Sequence, residues 1–135
     1  MNILVAGGAG YIGAQMCKTL ADAGHKVIVL DNLSTGHRAA VQWGTLVEGS
    51  LGNGELVRNT LQRHSIEVVM HFAASSLVGE SMLDPYKYYA NNVTATLELL
   101  RAMKDVGVSR FVFSSTAAIF GEAQSDRIDE QHPCK

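Results

Sequence analysis

The stretch "VAGGAGYIGAQ", residues 5–15, constrains this chain more than any other. An apolar run, "NILVA" (2–6), leads into it, and a helical pattern, Tyr11 to Ala23, leaves it. Gly7, Gly10 and Gly13 form G-x-x-G-x-x-G, with Gly8 as an extra glycine. Residues without a Cβ meet three needs at once here: a tight turn, close backbone approach to a diphosphate, and close contact between helix and strand. The free N–H groups and the positive end of the helix dipole then face an anion. Glycine triplets also occur in turns selected for packing alone. In this chain the triplet follows a strand, opens a helix, and is followed by Asp31 at the end of the next apolar run, "KVIVL" (26–30). The three features together imply a dinucleotide site.

Three further apolar runs, "TLVEG" (45–49), "EVVMHF" (67–72) and "RFVFS" (110–114), complete a set of five. Most are continuous rather than alternating, as expected of strands covered on both faces. Helical patterns lie between them. Glu55 to His64 puts Leu56, Val57, Leu61 and His64 on one stripe. A long helix is predicted from Asp84 as N-cap and Pro85 at its first position to about Asp105. It carries Val93, Leu97, Leu100 and Lys104 at helical spacing, and Gly107 ends it. The region around Trp43 shows no clear period. Strand–helix alternation predicts an α/β fold, a doubly wound parallel sheet of about five strands, within one dinucleotide-binding domain over 1–135. The 135 residues suit one compact domain and hardly two.

Composition narrows the class. A net charge of −2 with no basic stripe argues against nucleic acid as a partner. The apolar runs are too short to span a bilayer, and the glycine-rich start lacks the basic region of a signal peptide. Cys17 and Cys134 suggest neither a disulfide framework nor a metal site, so a cytoplasmic, reducing setting is the expectation. The histidines show no ligand spacing.

Asp31 sets the choice of cofactor. A carboxylate there accepts from a ribose 2′-OH and repels a 2′-phosphate, and the nearest downstream arginine is Arg38. That favours NAD over NADP, while Asp31 could also serve simply as a turn residue in "DNLSTG". In "HFAASSLVGES" (71–81), Ala73 and Ala74 let backbone approach a ligand, and Ser75 and Ser76 offer hydroxyls. His71 reads as a strand-end histidine bonded to backbone rather than as a catalyst. In "YYANNV" one asparagine should face the ligand edge, which makes Asn91 a candidate contact. "FVFSSTAAIFGE" (111–122) brings Ser114, Ser115 and Thr116 to the carboxyl end of a strand, where hydroxyls reach the ligand crevice or cap a loop. Hydroxyls need a basic partner to move protons at neutral pH. The four tyrosines are followed, four residues on, by Gln15, Ala90, Asn92 and Val93, so no Tyr-x-x-x-Lys pair is present.

Taken in order, "VAGGAGYIG", "LDNLSTG", "HFAASSLVGES", "YYANNV" and "FVFSSTAAIFGE" resemble the extended short-chain dehydrogenase/reductase family, in particular its nucleotide-sugar epimerases. The likeness covers nearly the whole chain. It implies bound NAD and epimerisation at C4 of a UDP-hexose, UDP-galactose or UDP-glucose, through a transient 4-keto sugar. By this resemblance Gly7, Gly10, Tyr11, Ile12 and Gly13 match the phosphate loop. Asp31, Asn32, Ser34, Thr35 and Gly36 match the adenosine-ribose segment, with Ser50 and Leu51 next to it. Phe72, Ala73, Ala74 and Ser76 match the stretch lining the cofactor, and Asn91 a cofactor-binding asparagine. Ser114 matches a neighbour of the nicotinamide, and Thr116 the catalytic Ser or Thr that assists proton transfer at the sugar 4-OH.

The chain departs from the family pattern in four places. Ser50 replaces an acidic residue that meets the adenine, Ser76 replaces a frequent lysine, and Phe120 replaces a tyrosine. The Tyr-x-x-x-Lys pair and the UDP-sugar domain belong beyond the family's stretch matching "HPCK", so the chain should bind NAD without epimerising sugars alone. The resemblance also implies a homodimer through the helix around 85–105. A related nucleotide-sugar epimerase or dehydratase, or a non-catalytic NAD-binding module, are the alternatives.

Overall fold

A computed structural model describes residues 1–122 and 127–134. Five strands form one sheet: β1 (Asn2–Ala6), β2 (Lys26–Asp31), β3 (Thr45–Glu48), β4 (Val68–His71) and β5 (Arg110–Phe113). They run parallel in the order β3-β2-β1-β4-β5. The order reverses direction between β1 and β4, and that is where a doubly wound sheet opens its ligand crevice.

Helix α1 (Tyr11–Asp22) covers one face, and α2 (Gly54–Arg63) and α5 (Ala95–Val106) cover the other. This two-sided cover is why the strands read as continuous apolar runs. Along β1, Ile3 and Val5 pack with Cys17 of α1, whereas Leu4 and Ala6 pack with Val57, Leu61 and Leu99. Trp43, in the segment without a clear period, is partly buried against the α1 side, with the Lys18 ammonium 5.9 Å from its ring centre. Before it lies only a short 3₁₀ turn, Arg38–Ala40.

Helix ends follow their local chemistry. Asn53 caps α2 by accepting from the Leu56 amide at 3.1 Å. Asp84 caps α4 (Pro85–Tyr89) by accepting from the Lys87 amide at 3.1 Å, and Gly107, at φ +80°, ends α5 in the left-handed region.

Two elements differ from the sequence reading. A short helix, α3 (Val78–Leu83), lies in the segment after "HFAASS"; no side chain caps it and none of its residues is buried, so it carries little periodic signal. The long helix is not one rod. A π-helical turn (Ala90–Thr94) separates α4 from α5, at the tandem asparagines. The stripe Val93, Leu97 and Leu100 faces solvent, while Ala95, Leu99, Ala102 and Met103 form the buried side. The tail "AQSDRIDEQHPCK" (123–135) reads as loop from its sequence; that expectation falls partly outside the described residues, and from 127 to 134 the chain forms no helix or strand.

Leu99 is fully buried between α2 and the sheet. Leu99→Ala is expected to lower unfolding stability by about 2–5 kcal/mol through lost contacts and a residual cavity. Urea unfolding followed by circular dichroism checks this, and a midpoint equal to that of the unaltered chain contradicts it.

Candidate functional site

The turn from β1 into α1 is built on two close approaches. Gly7 sits at φ +81°, and a Cβ there would lie 2.7 Å from the Ala73 nitrogen at the end of β4. A Cβ on Gly13 would overlap the Gly7 carbonyl oxygen. Backbone therefore meets backbone at the switch point with no side chain between. Helix α1 starts at Gly10 with no side-chain cap and no acidic residue in its first turn. The amides of its first turn are left for an anion.

Asp31 ends β2 beside this turn. Its Oδ2 accepts from the Ala9 amide at 2.9 Å and its Oδ1 from the Leu33 amide at 2.8 Å. Leu33 takes φ +56°, and Asn32 Oδ1 accepts from the Ser34 amide at 3.0 Å, so the loop curls back over the glycine turn. The turn-residue and ligand-facing readings of Asp31 are thus compatible. Arg38, the nearest downstream cation, is ion-paired with Glu48.

These parts enclose a cleft of about 310 Å³. Its walls come from Gly7, Gly10, Tyr11, Ile12 and Gly13; from Asp31, Asn32, Ser34, Thr35 and Gly36; from Ser50 and Leu51; and from Phe72, Ala73, Ala74 and Asn91. All but two of the residues expected to hold a cofactor therefore line one cavity. Ser50 Oγ is engaged with the Gly52 amide at 3.1 Å. The two exceptions, Ser76 and Ser114, line an adjoining cavity of about 670 Å³ together with Ser115 and Thr116. The two cavities share Ala74 and Ser75. Thr116 Oγ1 accepts from the Ala118 amide at 3.1 Å, capping a 3₁₀ turn and leaving its hydroxyl proton to donate.

His71 is 2% exposed beneath the second cavity. The Ala73 amide donates to Nδ1 at 3.2 Å, so Nε2 carries the proton and donates to Thr96 Oγ1 at 2.9 Å. The Thr96 hydroxyl in turn donates to the Asn92 carbonyl at 2.8 Å. The backbone bond expected of His71 is present, with Thr96 as an added partner. Phe113 meets its ring edge-on at 5.5 Å. Burial holds the imidazole pKa below its usual 6.5.

Sequence reasoning missed Asn92, Leu30 and Gly49, while Ser75, whose hydroxyl it offered, lines both cavities. For Asn92 a signal existed: two poor helix formers in succession inside a helix. Leu30 and Gly49 carry none, because they touch the cleft from strand ends. No three His, Cys, Asp or Glu side chains among the described residues could hold a metal ion.

The sequence profile of the NAD dependent epimerase/dehydratase family matches residues 3–135. The chain belongs to that family. A UDP-glucose 4-epimerase of Rhizobium leguminosarum bv. trifolii is 46% identical over 131 residues, 97% of this chain and 40% of the relative. A Klebsiella pneumoniae UDP-glucose 4-epimerase is 42% identical over 90% of this chain and 94% of its own length. The Brucella ovis UDP-glucose 4-epimerase, solved in complex with NAD, superposes with a TM-score of 0.89 at 43% identity, over 99% of this chain and 41% of that one. The chain thus spans about 40% of the length of the first curated relatives it matches.

A buried neutral imidazole makes stability depend on pH. In the unfolded chain His71 protonates near 6.5, whereas in the fold it does so at lower pH. The unfolded state binds more protons in that interval, so stability is complete above about 6.5 and falls as pH drops below it. His64 is shifted in the same direction and adds to the slope. His71→Gln is expected to flatten the decline in urea midpoint between pH 7 and pH 5, and an unchanged slope contradicts the assignment.

Proposed function

We propose that this chain holds NAD in the 310 Å³ cleft and forms the cofactor-binding portion of a UDP-glucose 4-epimerase. The observation that carries this reading is the doubly bonded Asp31 carboxylate beside an uncapped helix start, within one cleft. The cradle fits the group. Gly7 and Gly13 leave space that a Cβ would fill, and the α1 amides face a diphosphate. Asp31 would accept from the adenosine ribose, and Phe72, Ala73 and Ala74 would line the cofactor. Membership of an NAD dependent family and NAD in the Brucella ovis structure support the choice.

When bound, NAD supplies a reversible hydride acceptor, which suits transient oxidation at C4 of a UDP-hexose. In this reading Ser114 neighbours the nicotinamide and Thr116 donates a hydrogen bond to the sugar 4-OH. The base is a phenol from a Tyr-x-x-x-Lys pair, which this chain does not contain. A UDP-sugar as substrate is supported by the Bifidobacterium longum UDP-glucose 4-epimerase, solved with NAD+ and UDP, which aligns at a TM-score of 0.88 and 31% identity. A cytoplasmic setting suits the free Cys17 and Cys134, and no helix among the described residues is long and apolar enough to cross a membrane.

The same reading includes a homodimer. Tyr86, Tyr89, Val93, Leu97 and Leu100 expose an apolar stripe along α4, the π turn and α5, which suits a second helix pair. Sedimentation equilibrium is expected to give twice the chain mass, and Leu97→Glu the single mass; a monomer throughout contradicts the interface.

The cofactor assignment is checked by calorimetric titration with NAD and NADP. The unaltered chain is expected to prefer NAD. Asp31→Ala is expected to lower NAD affinity about tenfold, the scale of a hydrogen bond to a charged group, while leaving NADP affinity level or higher. An unchanged NAD-to-NADP ratio removes Asp31 from the ribose contact.

A further inference from the structure

Between the two cavities runs the segment that ends β4, and one side chain from the π turn grips it. Asn92 Oδ1 accepts from the Ser75 amide at 2.8 Å, and Asn92 Nδ2 donates to the Ser75 carbonyl at 2.9 Å. Because Ser75 N–H can only donate and its C=O can only accept, the orientation of the Asn92 carboxamide is forced. The same Oδ1 also accepts from Asn91 Nδ2 at 2.9 Å. That bond settles the orientation of Asn91 in turn. Asn91 lines the cleft, and its Oδ1 has no partner among the described residues.

We propose that Asn92 is a positioning residue, which presents Asn91 Oδ1 to the NAD held in the cleft and fixes the Ser75 peptide between the two cavities. The inference rests on the NAD reading above. Four features support it. The π turn places two consecutive asparagines at separate tasks, one at the cleft and one at the second cavity. The Asn92 backbone is itself held, through the Thr96 hydroxyl, to the buried His71. His71 Nδ1 takes the Ala73 amide, so both ends of the 73–75 segment are bonded to one connected network. With Ser75 shared by both cavity walls, a shift of its peptide alters both.

The test pairs NAD calorimetry with amide hydrogen exchange on the full chain. Asn92→Ala is expected to weaken NAD binding about tenfold and to strip the Ser75 amide of exchange protection. Asn91→Ala is expected to weaken NAD binding while leaving Ser75 protected. In the Asn91→Ala background, adding Asn92→Ala is expected to lose at most about threefold more, because Asn92 acts in part through Asn91. A merely structural role gives losses that multiply in full, and that result overturns the proposal. So does a Ser75 amide that stays protected in Asn92→Ala. If Asn92→Ala does not fold, the unaltered chain decides: slow exchange of the Asn91 and Asn92 Nδ2 protons is expected, and exchange at the rate of free amides overturns the network. If the unaltered chain fails to bind NAD, the cofactor reading falls and with it the Asn91 half of the proposal. Ser75 protection then separately decides the Asn92 grip.

Discussion

Everything at the ligand edge of this chain depends on three backbone segments meeting without side chains between them. Gly13 of α1 rests on the Gly7 carbonyl, and Gly7 rests on the peptide joining Phe72 to Ala73. Any Cβ at these two contacts would push α1 off β1, or β1 off the end of β4. Because the approach is that close, the start of α1, the end of β2 and the end of β4 converge on one cleft. The parallel sheet supplies the frame, since the chain leaves β1 toward α1 on one face and leaves β4 toward the other side of the switch point.

The polar groups around the two cavities are held by hydrogen bonds from the chain itself. Asp31 is oriented by two amides, Asn92 by a peptide and a neighbouring carboxamide, and His71 by an amide and a hydroxyl. Among the described residues, no buried side-chain nitrogen or oxygen lacks a hydrogen-bond partner. A site already held by its own bonds loses less side-chain freedom on binding. The neutral state of His71 belongs to the same arrangement. Protonating Nδ1 would set two donors, the imidazolium and the Ala73 amide, against each other in a desolvated place.

How much of this the sequence showed depends on the kind of signal. The glycine turn, Asp31 and the five strands were legible because each combines a steric requirement with a fixed neighbour: strand before, helix after, carboxylate at the next strand end. Helix α3 was not legible, since it buries nothing and therefore imposes no apolar period. The partition of Ser76 and Ser114 into the second cavity was not legible either. Which of two adjoining cavities a hydroxyl lines depends on where the chain turns after β4 and β5, and composition does not encode that turn. The π turn left a trace only as two poor helix formers in a row, and such a trace does not distinguish an exposed pair from a pair with two jobs.

The inward face of α5 shows why periodicity alone does not choose the buried side of a helix. Val93, Leu97 and Leu100 recur at helical spacing, and so do Ala95, Leu99, Ala102 and Met103. Both stripes satisfy the same pattern, so spacing cannot choose between them. Size can. The side facing α2 carries Ala95 and Ala102, fully or nearly buried, whose small side chains let two helices lie close over one sheet with Leu99 filling the space between. The bulkier stripe would hold α2 farther off and leave Val57 and Leu61 poorly covered. Packing against α2 therefore selects the face with alanines, and the larger apolar residues are turned outward as a consequence of that choice.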